Sequence, residues 1–166
     1  SDEYEGENSE PFTLFSNKDL SFVGSNFNGD GFLVSKDFAN SCFKTDSKYK
    51  DVLFPNLSGI DLNNNPKLDE TRWIINFKDW EIEKAKKYEI CFKRVQDLVF
   101  PFRQKNSKKD LKTNWWLYER YRKKMYDKIE NKEKVLVRCQ TGKFNTFVFV
   151  PNRYVYDQRI IVFNID

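Results

Sequence analysis

Residues 72–101 read RWIINFKDWEIEKAKKYEICFKRVQDLVFP, and the change of period inside them decides the fold class. Arg72-Trp73-Ile74-Ile75-Asn76-Phe77 is β-branched and aromatic, the composition of a strand. From Ile82 the apolar residues recur at helical spacing through Ala85, Tyr88, Cys91 or Phe92, Val95 and Leu98. Asp79 stands where a carboxylate can cap the first amides, and Pro101, which has no amide proton to give, is expected to stop the run. A helix near 80–100 directly after a strand is the nucleus of the reading.

Toward the C-terminus, the stretch between Phe102 and Thr113 is basic with no apolar pattern except Leu111, and predicts a loop. A second helix is expected over 115–130, with Trp116, Tyr118, Tyr121, Met125 and Ile129 for burial and Arg120, Arg122, Lys123, Lys124 and Lys128 outward. The remainder is β: residues 134–139, 146–150 and 159–163, broken at Gly142 and Pro151-Asn152. Toward the N-terminus, residues 21–24 and 31–35 predict two strands about the turn Asn28-Gly29-Asp30-Gly31. Ser35 is placed to cap a short helix running to about Phe43. Residues 51–57 read as extended chain broken by Pro55, and 58–66 as a polar loop. No repeat is visible. The sum is α+β, with mixed or antiparallel sheet elements and two main helices.

With 166 residues, 39% of them hydrophobic and 16 Phe, the chain can bury one core. We expect one domain over 20–166, preceded by a flexible acidic entry segment, 1–19, that holds six acids and the single base Lys18. The longest apolar runs, residues 147–150 and 160–163, are strand-sized, far short of the roughly 18 residues a membrane span needs. No leader pattern opens the chain, so the expected compartment is the cytoplasm, without a membrane partner. Cys42, Cys91 and Cys139 lack metal spacing and are expected to be reduced.

Histidine is absent, which removes the commonest general base and metal ligand. The acid pairs Glu81 with Glu83 and Asp69 with Glu70 sit at helix starts and turns, where carboxylates are favoured anyway. Gly24, Gly29 and Gly31 match neither a dinucleotide loop nor a Walker loop, and the Asp-Pro-Pro-Tyr type of motif that holds a target base is missing. No catalytic, metal or cofactor set is therefore expected. What stands out is charge: residues 103–143 carry 14 Lys or Arg against five acids, a footprint for a polyanion or else a solvated helical face. Within 137–146, strand alternation puts Arg138 and Gln140 on one face, and Val137 and Cys139 on the other. After Gly142, Lys143 and Asn145 can project together. These are side chains that hydrogen-bond guanine and adenine edges, although an ordinary hairpin with a polar face has the same pattern.

Five motifs occur in order: Phe22-Val23-Gly24-Ser25 with Gly29-Asp30-Gly31-Phe32, then residues 57–63 (LSGIDLN), 72–77 (RWIINF), Trp115-Trp116, and Val135-Leu136-Val137-Arg138 leading to Phe147-Val148-Phe149-Val150-Pro151. Together they resemble the target-recognition region of MmeI-like DNA methyltransferases, found in single-chain type II restriction-modification enzymes and related phage-defence proteins. The likeness covers residues 20–163. It implies a non-catalytic domain that grips double-stranded DNA beside an adenine-specific methyltransferase domain of the same polypeptide, with or without a fused endonuclease. S-adenosylmethionine would belong to that parent enzyme and not to this domain. On this reading the base-reading candidates are Arg138, Gln140, Lys143 and Asn145, with Ser25, Asn26 and Asn28 as a second loop. The phosphate candidates are Lys105, Lys108, Lys109, Lys112, Arg122 and Lys123. The alternative is a protein-interaction module using exposed aromatics such as Trp115 or Tyr118.

Overall fold

The computed structural model describes residues 18–64, 72–141 and 146–165. In chain order these hold β1 (Ser21–Val23), β2 (Leu33–Ser35), α1 (Lys36–Thr45), β3 (Leu53–Leu57), α2 (Gly59–Asn64), β4 (Arg72–Ile75) and α3 (Ile82–Ala85). They continue with α4 (Glu89–Gln104), α5 (Lys109–Thr113), α6 (Lys123–Ile129), β5 (Lys134–Cys139), β6 (Phe147–Pro151), β7 (Val155–Tyr156) and β8 (Ile160–Phe163). The fold is α+β. One sheet has the order β1-β8-β5-β6 and is antiparallel throughout; the other has the order β2-β4-β3-β7, with β3 and β7 parallel.

Alternation explains the first sheet. Val135, Val137, Val150, Ile160 and Val162 face inward and are closed over by Met125 and Ile129 of α6 and by Leu57, Tyr154 and Tyr156. The second sheet carries Val34, Leu53, Ile74 and Ile75 against Cys42 of α1 and Cys91, Val95 and Val99 of α4. The single core expected from length is thus two clusters. They share strands, since β3 gives Leu53 to one and Leu57 to the other, and β7 gives Val155 and Tyr156 likewise.

Local signals were read correctly where a hydrogen bond closes nearby: Ser35 Oγ accepts from the Phe38 amide and starts α1, which runs to Thr45. Elsewhere tertiary packing overrode them. The expected 80–100 helix is two, α3 and α4, interrupted at Tyr88 (φ −99°, ψ 63°). Asp79 does not cap it and instead pairs with Lys123 at 3.3 Å. Pro101 does not end α4, because it removes only one helix bond, to the exposed carbonyl of Asp97, while the following turn is held by the buried side chain of Arg103. The expected 115–130 helix shrinks to α6. Trp115, Trp116 and Tyr118 are all buried, outside any helix: Trp116 Nε1 donates to Trp80 O (2.9 Å) and Tyr118 Oη to Ile75 O (2.7 Å).

The basic "loop" contains α5, formed around buried Leu111. The strands on either side of Asn28-Gly29 exist but lie in different sheets, β1 beside β8 and β2 beside β4. Pro55 sits inside β3 where pairing passes from β4 to β7, a position at which a missing amide proton is tolerated.

The expected polar loop after Leu57 is α2, and its signal was present as Ser58-x-x-Asp61. Asp61 Oδ2 accepts from the Ser58 amide (3.0 Å) and hydroxyl (2.6 Å), and Ser58 Oγ accepts from the Asp61 amide (3.3 Å). Arg72 Nη2 reaches the same carboxylate at 3.2 Å. Burial alone pushes Asp61 up, but Ser58 and Arg72 together hold its carboxyl below the usual range. A depressed folded pKa means that the cap contributes fully above the unfolded value near 3.8 and is lost as pH falls through the folded one. Asp61→Asn is therefore expected to lower stability by about 1 kcal/mol at pH 7 and to flatten the loss below pH 4. Urea melts at pH 7 and pH 3 that drop equally for variant and parent would contradict this.

Candidate functional site

Because the first sheet is antiparallel, the C-terminal ends of β1 and β5 and the N-terminal ends of β6 and β8 lie at one end of it. Residues 24–30, 140–141 and 157–159 meet there, and α2 abuts them. A Cβ on Gly59 would lie 2.8 Å from Cys139 Sγ and 3.4 Å from Arg159 Cβ, so glycine permits the approach. The turn at 157–160 is pinned on several sides. Asp157 N donates to Leu57 O (2.9 Å), Gln140 N to Arg159 O (2.7 Å), Gly24 N to Ile160 O (2.9 Å) and Ile160 N to Asp157 O (2.8 Å). Asp157 Oδ1 accepts from the Arg159 amide at 2.9 Å. Between this turn and the Asn26 loop lies a polar recess of about 390 Å³.

The Asn26 loop is anchored from behind. Arg103, 1% exposed, donates to Phe27 O (2.7 Å), Asn28 O (3.3 Å), Leu117 O (2.6 Å) and Asn114 O (3.4 Å). Burial lowers its pKa to about 10, which leaves the guanidinium charged at neutral pH. Asn26 and Arg120 exchange backbone hydrogen bonds at 3.0 Å, so Arg120 stands beside the loop, exposed.

Several expected readers prove to be committed elsewhere. Ser25 is fully buried; its hydroxyl donates to Tyr121 O (2.8 Å) and meets Tyr126 Oη (3.0 Å), so it braces the loop from beneath. Asn28 Nδ2 donates to Glu119 Oε2 at 2.6 Å, and Asn26 Oδ1 accepts from the Asn28 amide. Arg138 points out of the sheet rather than toward its end, with its guanidinium over the Phe147 ring at 5.9 Å. Gln140 is exposed just past β5. Lys143 and Asn145 lie outside the described residues.

The phosphate candidates divide similarly. Lys105 and Lys109 are exposed and Lys112 half-buried, all on the segment that follows Arg103, and none has an ion-pair partner among the described residues. Lys108 is paired with Glu119 at 2.7 Å, and that bond, with Asn28, holds the Glu119 carboxyl below its usual range. Lys123 is shared by Asp79 and Asp127. Arg122, at φ 67°, turns inward to Gly24 O (3.3 Å).

Sequence reasoning passed over Gln158 and absorbed Arg159 into the last strand, although Asp157-Gln158-Arg159 between apolar runs is a turn signature. Arg103 carried no signal at all. Trp115 and Tyr118, named for an exposed interaction surface, are buried. Exposed aromatics lie instead on α4, at Phe100 and Phe102, and on the outer face of the first sheet, where Phe147 (51% exposed) and Phe149 (53%) stand beside Leu136, Ile161 and Phe163. Among the described residues no His, Cys, Asp or Glu cluster could hold a metal, and no helix is long and apolar enough to cross a membrane.

No family model and no curated protein matches the chain by sequence. Its fold is similar to part of the Type IIL restriction-modification enzyme MmeI, solved in complex with DNA, with a TM-score of 0.65 and 14% sequence identity. The likeness covers 86% of this chain and 19% of that one, so the chain spans less than a fifth of the enzyme's length.

Proposed function

We propose, from a fold shared with part of a DNA-bound restriction-modification enzyme, that this chain is a sequence-specific DNA-recognition domain without chemistry of its own. The observation that carries the reading is the loop end of the first sheet. Polar side chains with no partner among the described residues, Gln140, Gln158 and Arg159, stand on a pinned backbone there, Arg120 flanks the neighbouring Asn26 loop, and Lys105, Lys109 and Lys112, without ion-pair partners among the described residues, add positive charge on the segment after Arg103. Phosphate contacts from the cations would set register, and the loop side chains would read base edges. In the parent protein this reading places an adenine-specific, S-adenosylmethionine-dependent methyltransferase domain beside it in the cytoplasm. That catalytic domain would act on a base swung out of the duplex.

The test is duplex binding by fluorescence anisotropy across a salt series. Each of Lys105, Lys109 and Lys112 changed to Ala is expected to lower the log–log salt slope by about 0.9, alike for all sequences. Lys108→Ala should lower it less, since Glu119 already offsets that charge. Binding that is indifferent to salt, or slopes unchanged in all three variants, would refute the DNA reading. The outer face bearing Phe147 and Phe149 favours a second reading, a contact with an apolar protein surface. Such a contact would show the weak salt dependence that DNA binding would not.

A further inference from the structure

We infer that the turn at 157–160 is the principal base-reading element, with Arg159 donating to the edge of a guanine and Gln158 to a neighbouring base. The inference rests on the DNA-recognition reading and specifies which residues of that site contact bases.

Arg159 is exposed, and its side chain has no hydrogen-bond or ion-pair partner among the described residues. Its backbone is the opposite: the carbonyl is taken by Gln140 N, the amide by Asp157 Oδ1, and its Cβ rests against the Cβ position of Gly59. A free fork of donors on an immobile base pays little ordering cost when it meets a ligand. The guanidinium plane matches guanine O6 and N7 in the major groove, and the adjacent amide of Gln158 has the donor–acceptor pair that suits adenine N6 and N7. Competing candidates at this end are occupied: Ser25 by Tyr121 and Tyr126, Asn28 by Glu119, and Arg138 by the ring of Phe147. Asp157, two positions before it, turns its carboxylate onto the Arg159 amide, so it orients the turn without pairing the guanidinium.

The experiment selects duplexes from a randomised pool with the 166-residue chain and with R159A, R159K and Q158A, each checked for native circular dichroism. The parent chain should enrich a site containing a guanine at one fixed position. R159A should lose preference at that position alone and bind the parent site about 10- to 100-fold more weakly, with little change in salt slope. R159K should not restore it, because an ammonium lacks the two-donor fork. Q158A should relax an adjacent position. If R159A keeps the parent preference, or loses affinity for every sequence equally with a slope lower by about one, Arg159 is not a reader and the recognition reading survives. If the parent chain itself enriches no sequence, both fall.

Discussion

Arg103→Met is expected to destabilise the protein by about 3 to 5 kcal/mol, lowering its melting temperature by roughly 10 °C. Methionine replaces the aliphatic stem but not the donors. The carbonyls of Phe27, Asn28, Asn114 and Leu117 converge on the buried guanidinium; all four would lose it, and of them Asn114 O alone keeps a second bond, from the Leu117 amide at 3.0 Å. The ring of Phe32, which lies 5.4 Å from the guanidinium carbon, would lose its cation as well. Arg103→Lys should recover little, because one compact ammonium cannot reach four carbonyls spread about a planar fork. The loss should also register locally, as faster amide exchange at residues 26–28, since Arg103 is what ties that loop to the end of α4. Denaturant unfolding within 1 kcal/mol of the parent would show that water can take over the four carbonyls.

Gly24→Ala, a single added methyl, is expected to cost about 3 kcal/mol, at the upper end of what overpacking inflicts. The added carbon would overlap the backbone carbonyls of Tyr156 and Asp157. Neither can retreat cheaply, since the Ser25 amide is bonded to Tyr156 O at 2.7 Å and the Ile160 amide to Asp157 O at 2.8 Å. Relief requires β1 to separate from the turn at 157–160, so the substitution couples stability to the candidate site. Circular dichroism melts should show the loss, and duplex binding at a temperature where the variant is still folded should lose sequence preference more than salt-sensitive affinity. A variant as stable as the parent would mean that β1 and the turn do not meet as described.

The class of the fold was legible because its signals are local. The helical recurrence of Cys91, Phe92 and Val95 in α4 and the alternation of Val135 and Val137 in β5 each report one face of one element, and these faces are the ones buried. The Ser35 cap acts on an amide three positions away, and its helix follows directly from the sequence. The Ser58-x-x-Asp61 box was equally local and was overlooked only because its surroundings are polar. Charge located the basic segment but could not say which cations are spent internally: Lys108 and Lys123 are distinguished from Lys105 and Lys109 by the acids Glu119 and Asp79, which folding brings to them.

What the sequence by itself determined is therefore the α+β class, the strands of the C-terminal sheet, the main helix, the lack of any histidine and the basic stretch. All of these follow from period, residue type and composition within a few positions of each residue. The tertiary structure decided which sheet each N-terminal strand joins, that residues 114–122 are irregular, and that Ser25 finds Tyr126 101 positions away while Arg103 finds Asn28 75 positions back. It also decided that Arg159 stands beside Gln140 without a side-chain partner among the described residues. Those outcomes depend on where a polar group can be satisfied once the apolar faces have closed, and that partner is chosen by packing across the whole chain rather than by neighbours along it.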